Sequence, residues 1–210
     1  MPSGPRLTTH SRSMHDIDLV VVADTSVIIN LNATKRAAEV LSSLPFRVVV
    51  TEIVTGELTE DRRGGRRDAE LLAALEKAGH VQVVSLDEVG LDIFSGLVIG
   101  PAGETLDDGE ASTIAYAVEH GIVPVIDERK GLKICSARFP SLRPKSTVDL
   151  FADPGVMEAL GRDSLSDAIF QTLRNARMRI PPEHVAWVIA LIGADRAALC
   201  HSLPKAARRP

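Results

Sequence analysis

Apolar residues fall along this chain in two alternating textures. Continuous, largely β-branched runs occur at Leu19-Val-Val-Val-Ala23, Phe46 to Val50, Val81 to Val84 and Val123 to Ile126, and runs of that kind suit strands buried on both faces of a sheet. Between them apolar positions recur at helical spacing: Ala33 to Leu44, closed by Pro45; Ile53 to Leu58; Asp68 to Ala78, with Gly79 as a C-cap; Glu110 to His120, ended by Gly121; and about Lys130 to Ala137. Strands alternating with helices predict an α/β domain with a mainly parallel sheet. After Thr147 the texture changes. Leu150 to Leu160, Ser166 to Arg177 and Pro182 to Leu199 predict three helices with no strand between them, Pro182 at a first helical position. The expected layout is a loose polar leader over 1–17, in which Met14 is a second candidate start, a domain over 18–150, and a helical extension with a basic tail over 151–210.

Composition narrows the classes. The 210 residues are 45% hydrophobic and 25% charged, an ordinary globular balance that excludes wholesale disorder. Lys and Arg number 24 against 28 Asp and Glu, for a net charge of -4, which argues against holding duplex DNA by global basic charge. Only 3% of residues are aromatic, too few for a platform that stacks bases. Cys135 and Cys200 form no CxxC pair, so neither a disulfide framework nor a structural zinc site is expected, and a reducing cytoplasm is the natural location. The polar start lacks a signal-peptide core, and the apolar stretch Val185 to Gly193 is too short to cross a bilayer. No HExxH, no phosphate-binding glycine loop and no Gly-x-Ser-x-Gly elbow is present.

Acids supply the candidate chemistry. In open parallel sheets ligands bind beyond the carboxyl ends of the strands. Asp24 and Asp127 each follow an apolar strand, Glu57 sits on the helix after the second strand, and Glu110 opens the helix before the Asp127 strand. Four carboxylates drawn together raise one another's pKa unless a cation neutralises them, and oxygen-only ligands suit Mg²⁺ or Mn²⁺. Such a site can polarise a phosphodiester and activate a water against it. Plainer roles stand beside these: Asp24 as a helix cap, Asp107 and Glu110 as a capping box, Glu57 as a solvated helix residue, and Asp127 as a turn residue.

The segments Val21-Val-Ala-Asp-Thr-Ser-Val27, Gly56-Glu57, Asp108-Gly-Glu-Ala-Ser-Thr-Ile114 and Val125-Ile-Asp-Glu-Arg-Lys-Gly131 resemble the successive acidic motifs of PIN-domain proteins, over roughly Leu19 to Leu150. The resemblance implies a three-layer α/β/α fold and a Mg²⁺- or Mn²⁺-dependent ribonuclease acting on single-stranded RNA, with Asp24, Glu57, Glu110 and Asp127 as catalytic and metal-binding acids. Thr25 or Ser26 would position a water. It further implies a homodimer and, as in the toxin halves of bacterial toxin–antitoxin pairs, a small antitoxin protein as partner. Many such toxins carry Asp where this chain has Glu110, although a branch with Gly-Glu there is similar to it. Arg62, Arg63, Arg66 and Arg67 form a loop that either steers RNA phosphates or is a solvated turn, and Arg129, Lys130 and Lys133 follow Asp127 closely enough to hold a scissile strand. Arg174, Arg177, Arg179, Lys205, Arg208 and Arg209 read mostly as surface charge. Two rival readings remain: a PIN-fold nucleic-acid or protein-binding module without catalysis, and a phosphoryl-handling protein with Asp24 as nucleophile. The second rival would want an acid where Ser26 stands.

Overall fold

The computed structural model describes residues 19–60 and 67–208. Four parallel strands form the sheet: β1 (Val20–Ala23), β2 (Arg47–Thr51), β3 (Val81–Val84) and β4 (Val123–Val125), in the order β3-β2-β1-β4. The chain steps outward from β1 to β2 and β3, then returns to place β4 on the other side of β1. That reversal leaves a crevice beyond the carboxyl ends of β1 and β4, the place where open α/β sheets bind ligands.

Helices cover both faces, as the alternation of the strands requires. Val21 pairs with Val48 and contributes to one core, while their neighbours Val22 and Val49 face the other way, against Ala117. The first layer contains α1 (Thr25–Ala33), α2 (Ala37–Ser43), α3 (Glu52–Glu60) and α4 (Asp68–Lys77). The second contains α5 (Glu88–Val98), α6 (Asp108–His120) and α7 (Arg129–Arg138), joined through Leu97, Ala111, Ile114, Ile126 and Cys135. The C-terminal helices α8 (Thr147–Phe151), α9 (Pro154–Leu160), α10 (Arg162–Asn175), α11 (Val185–Ile192) and α12 (Ala194–Ala198) bury Leu150, Phe151, Leu165, Ile169 and Val188 in the same core as β1, β2 and α1. They share the first layer's hydrophobic centre. No helix among the described residues is long and apolar enough to cross a membrane.

The α/β class and the parallel sheet agree with the pattern of the sequence, and several boundaries do not. The helix expected over Ala33 to Leu44 starts only at Ala37, as α2; before it α1, which the pattern does not predict, ends at Ala33 and Lys35 turns at φ 59°. α5 has no counterpart in the pattern. The expected helix over 150–160 breaks at Ala152 and Asp153, where Asp153 caps α9 and Pro154 takes its first position. The one expected over 182–199 begins as a 3₁₀ turn at Pro182–His184 and breaks again at Gly193, φ 85°.

Candidate active site

Register brings the two aspartates together. Ala23 pairs with Val125, and the Asp24 N–H continues the ladder onto the Val125 carbonyl at 3.2 Å. Asp24 then caps α1, its Oδ1 accepting from Val27 N at 2.9 Å and Ser26 Oγ at 2.8 Å. It is 1% exposed. Its carboxyl is pushed well above the usual range by burial and by repulsion from Asp127, with a smaller contribution from Glu110. The cap and the candidate ligand are therefore one residue, since capping occupies Oδ1 alone.

Asp127, 3% exposed, is held on both oxygens. Thr147 gives its N–H to Oδ1 at 2.8 Å and its hydroxyl to Oδ2, and Asn30 Nδ2 donates to Oδ2 at 2.6 Å. Burial raises its pKa, and these bonds oppose the rise. Thr147 stands at the start of α8, where Ser146 and Asp149 form a reciprocal capping box.

Glu110 enters from the second layer. α6 is tied across the strand ends by Thr51 Oγ1 to Ser112 Oγ at 2.8 Å and by Thr113 Oγ1 to the Ala23 carbonyl at 3.5 Å. Asp107 caps the helix through the Glu110 N–H at 3.0 Å. Only half of the expected capping box forms: the Glu110 side chain, in a residue 5% exposed, leaves Oε1 buried with no hydrogen-bond partner. A methyl group at Gly131 would come within 2.7 Å of that oxygen, so a larger residue here would force the Glu110 carboxyl to move. Burial, then Asp107 and Glu128, raise the Glu110 pKa to about 7, with Lys130 and the Gly131 N–H opposing.

Glu57 takes a different position. One oxygen receives the Thr25 hydroxyl and the other the Gly109 N–H at 2.8 Å. It thus bridges the residue after Asp24 and the residue before Glu110, tying α3 to both without facing an orphaned donor. Ser26 serves Asp24 and Thr25 serves Glu57, so the two hydroxyls have separate partners. Among the described residues, no three His, Cys, Asp or Glu side chains stand close enough as placed to hold a metal ion. The donor set nevertheless fits a hard divalent cation. It is all oxygen, it places Asp127 and Glu110 within electrostatic reach of Asp24, and it includes a buried carboxylate oxygen, Glu110 Oε1, with no hydrogen-bond partner.

Of the basic candidates, Arg62, Arg63 and Arg66 lie outside the described residues. Arg67 is solvent-exposed and paired with Glu70. Arg129, Lys130 and Lys133 line an open cavity of about 890 Å³ between α7 and the α5–α6 connection, joined there by Arg138. Lys130 Nζ donates to the Ala102 carbonyl at 2.7 Å and Arg138 Nη1 to that of Gly96 at 2.8 Å.

Three residues of this region escaped the sequence reading. Asn30 is a lone amide within Val27-Ile-Ile-Asn-Leu31, a signal once α1 is known to be a helix. Thr147 lies inside the Ser-x-x-Asp capping pattern of α8. Arg179, read as surface charge, is only partly exposed and donates from Nη1 to the Asp127 carbonyl at 2.8 Å; nothing local marks it.

A family model described as a PIN domain matches residues 20–194. No curated protein matches the chain.

Proposed function

This chain belongs to the PIN-domain family, whose members are generally nucleases, and on that premise we propose that it is a metal-dependent endoribonuclease for single-stranded RNA. What supports the reading is that Asp24 and Asp127 follow the paired strands β1 and β4, that Asp127 and Glu110 both act electrostatically on Asp24, and that Glu110 Oε1 is buried and unpartnered. Asp24, Glu110 and Asp127 would hold Mg²⁺ or Mn²⁺, with Glu57 orienting the group through Thr25 and Gly109. Bound there, the cation supplies charge neutralisation at the phosphate and a water of lowered pKa. Hydrolysis splits the P–O3′ bond, leaving a 3′-hydroxyl and a 5′-phosphate.

The protein's own contribution is placement. The Asp24 cap holds one carboxylate at the start of α1, Thr147 and Asn30 hold the second, and α6 delivers the third. Arg129 and Lys130 stand in the first turn of α7, which has no acid there. Cations at a helix N-terminus oppose the helix dipole, so these charges suit an incoming phosphate better than they suit the helix. With Lys133 and Arg138 they would give an RNA strand a basic wall along α7, the helix that follows Asp127. As one half of a toxin–antitoxin pair, in the Gly-Glu branch, the protein would work as a homodimer in the cytoplasm and be blocked by a small protein covering the crevice.

Labelled single-stranded RNA incubated with the protein in Mn²⁺ or in EDTA tests the reading, alongside Asp24→Asn and Asp127→Asn. Cleavage that needs Mn²⁺ and disappears in both variants supports it. Binding without cleavage, indifferent to metal, would instead favour a module that only binds. The observation on that side is that Asp127 and Glu57 already have both oxygens hydrogen-bonded.

A further inference from the structure

The C-terminal helices reach the acidic crevice through three separate contacts. After α10 the chain turns at Arg177, whose φ of 57° lies in the left-handed region that residues with side chains seldom enter. The following segment alternates: Met178 and Ile180 enter the core, and Arg179 between them reaches the Asp127 carbonyl. Arg179 forms no ion pair among the described residues, and its Nε is buried without a partner. A guanidinium chosen for stability would satisfy that donor. Among the described residues, the group it binds is the peptide of a site residue.

The other contacts act on the same residue at one remove. Thr172 Oγ1 of α10 donates to the Asn30 carbonyl at 3.3 Å, and the Asn30 amide donates to Asp127. His184 Nε2 lies 2.9 Å from Asp149 Oδ1, and Asp149 Oδ2 receives the Ser146 N–H beside Thr147. Asn30, Thr147 and the Asp127 main chain are thus each braced by a residue between Thr172 and His184.

We propose that Arg179 is a positioning residue of the acidic site: by holding the Asp127 carbonyl it keeps the Asp127 carboxylate seated on Thr147 and Asn30 and in register with Asp24. The C-terminal extension is then part of the functional unit. Sites of this kind tolerate displacement of only about 0.5 Å, and β4 is three residues long and ends before Asp127, so the sheet alone does not fix it. The kinetic consequence rests on the nuclease reading, while the structural consequence does not.

The test compares wild type, Arg179→Met, which keeps the apolar stem, and Arg179→Lys, which keeps one donor; Arg179→Gln replaces the Met variant should that fail to fold. Amide exchange is followed by NMR without metal or RNA. Loss of the bond should speed exchange at Thr147 about tenfold in Arg179→Met, while Val22 and Val49 in the sheet keep their rates and Arg179→Lys stays within about threefold of wild type. Mn²⁺ affinity, read by electron paramagnetic resonance, should fall about tenfold in Arg179→Met, and kcat for RNA should fall with KM unchanged. An unchanged Thr147 rate, or acceleration at Thr147 and the strands together, would reduce Arg179 to a strut and overturn the proposal. So would a rise in KM with kcat preserved, which marks an RNA contact. A wild-type protein that cleaves no RNA would overturn the nuclease reading alone, since the exchange measurement still decides the role of Arg179.

Discussion

Asn30 Nδ2 donates to Asp127 Oδ2 at 2.6 Å across 97 positions of sequence, with both residues buried. The bond joins the first helix after β1 to the loop after β4, so the two aspartates flanking the sheet's switch point are held by one another's elements.

Replacing Asn30 with Leu removes that donor and leaves a buried carboxylate short of one partner. The expected cost is about 1–3 kcal/mol of stability, read as a lower urea midpoint with unchanged slope. Thr147→Val should cost a similar amount, and the two together less than their sum, because they serve the same oxygen.

Stability of the metal-free protein should fall as pH rises. Burial and like charges raise the pKa values of Asp24, Asp127 and Glu110, the last from 4.5 to about 7. The folded state therefore binds more protons than the unfolded chain, and unfolding free energy drops between about pH 4.5 and 7. Glu110→Gln should flatten that slope and raise the denaturation midpoint at pH 8. A midpoint of the wild type that climbs through this window would contradict the placement of the acids.

Gly131→Ala sets helix propensity against close approach. In an exposed helix the change stabilises by about 1 kcal/mol, as expected for Gly56→Ala, where nothing lies within 4 Å. At Gly131 the added carbon would stand 2.7 Å from Glu110 Oε1. There the variant should lose RNA cleavage by about tenfold or more, whereas Gly56→Ala should keep it.

Much of this was legible in the sequence because it is local. The four strands show as β-branched runs, and Asp24 and Asp127 are marked by where those runs stop. α1 was not legible: Val27-Ile-Ile carries strand propensity, and the helix depends on the Asp24 cap and burial against the C-terminal core. α5 carries glycines at 90 and 96, which weaken a helical signal. The breaks at Lys35 and Gly193 are single residues at positive φ, 59° and 85°, and one such residue leaves the apolar spacing around it unchanged. Arg179 acts through a main-chain carbonyl 52 positions away, and such a bond leaves no periodicity to read.

Arg129 and Lys133 should govern RNA affinity through charge. Arg129→Glu with Lys133→Glu should raise KM by about tenfold or more with little change in kcat. Each lost phosphate contact should flatten the dependence of log affinity on log salt by about 0.7. Fluorescence anisotropy of labelled RNA across a salt series, in EDTA, measures it.

Acids from the end of β1, from α6 and from the loop after β4 should form one pocket for a divalent ion. Direct titration of Mn²⁺ into the wild type, Asp24→Asn, Glu110→Gln and Asp127→Asn measures it without reference to RNA. A saturable site is expected in the wild type, with its affinity collapsing in each of the three variants. Equal Mn²⁺ affinity in all four proteins would contradict it.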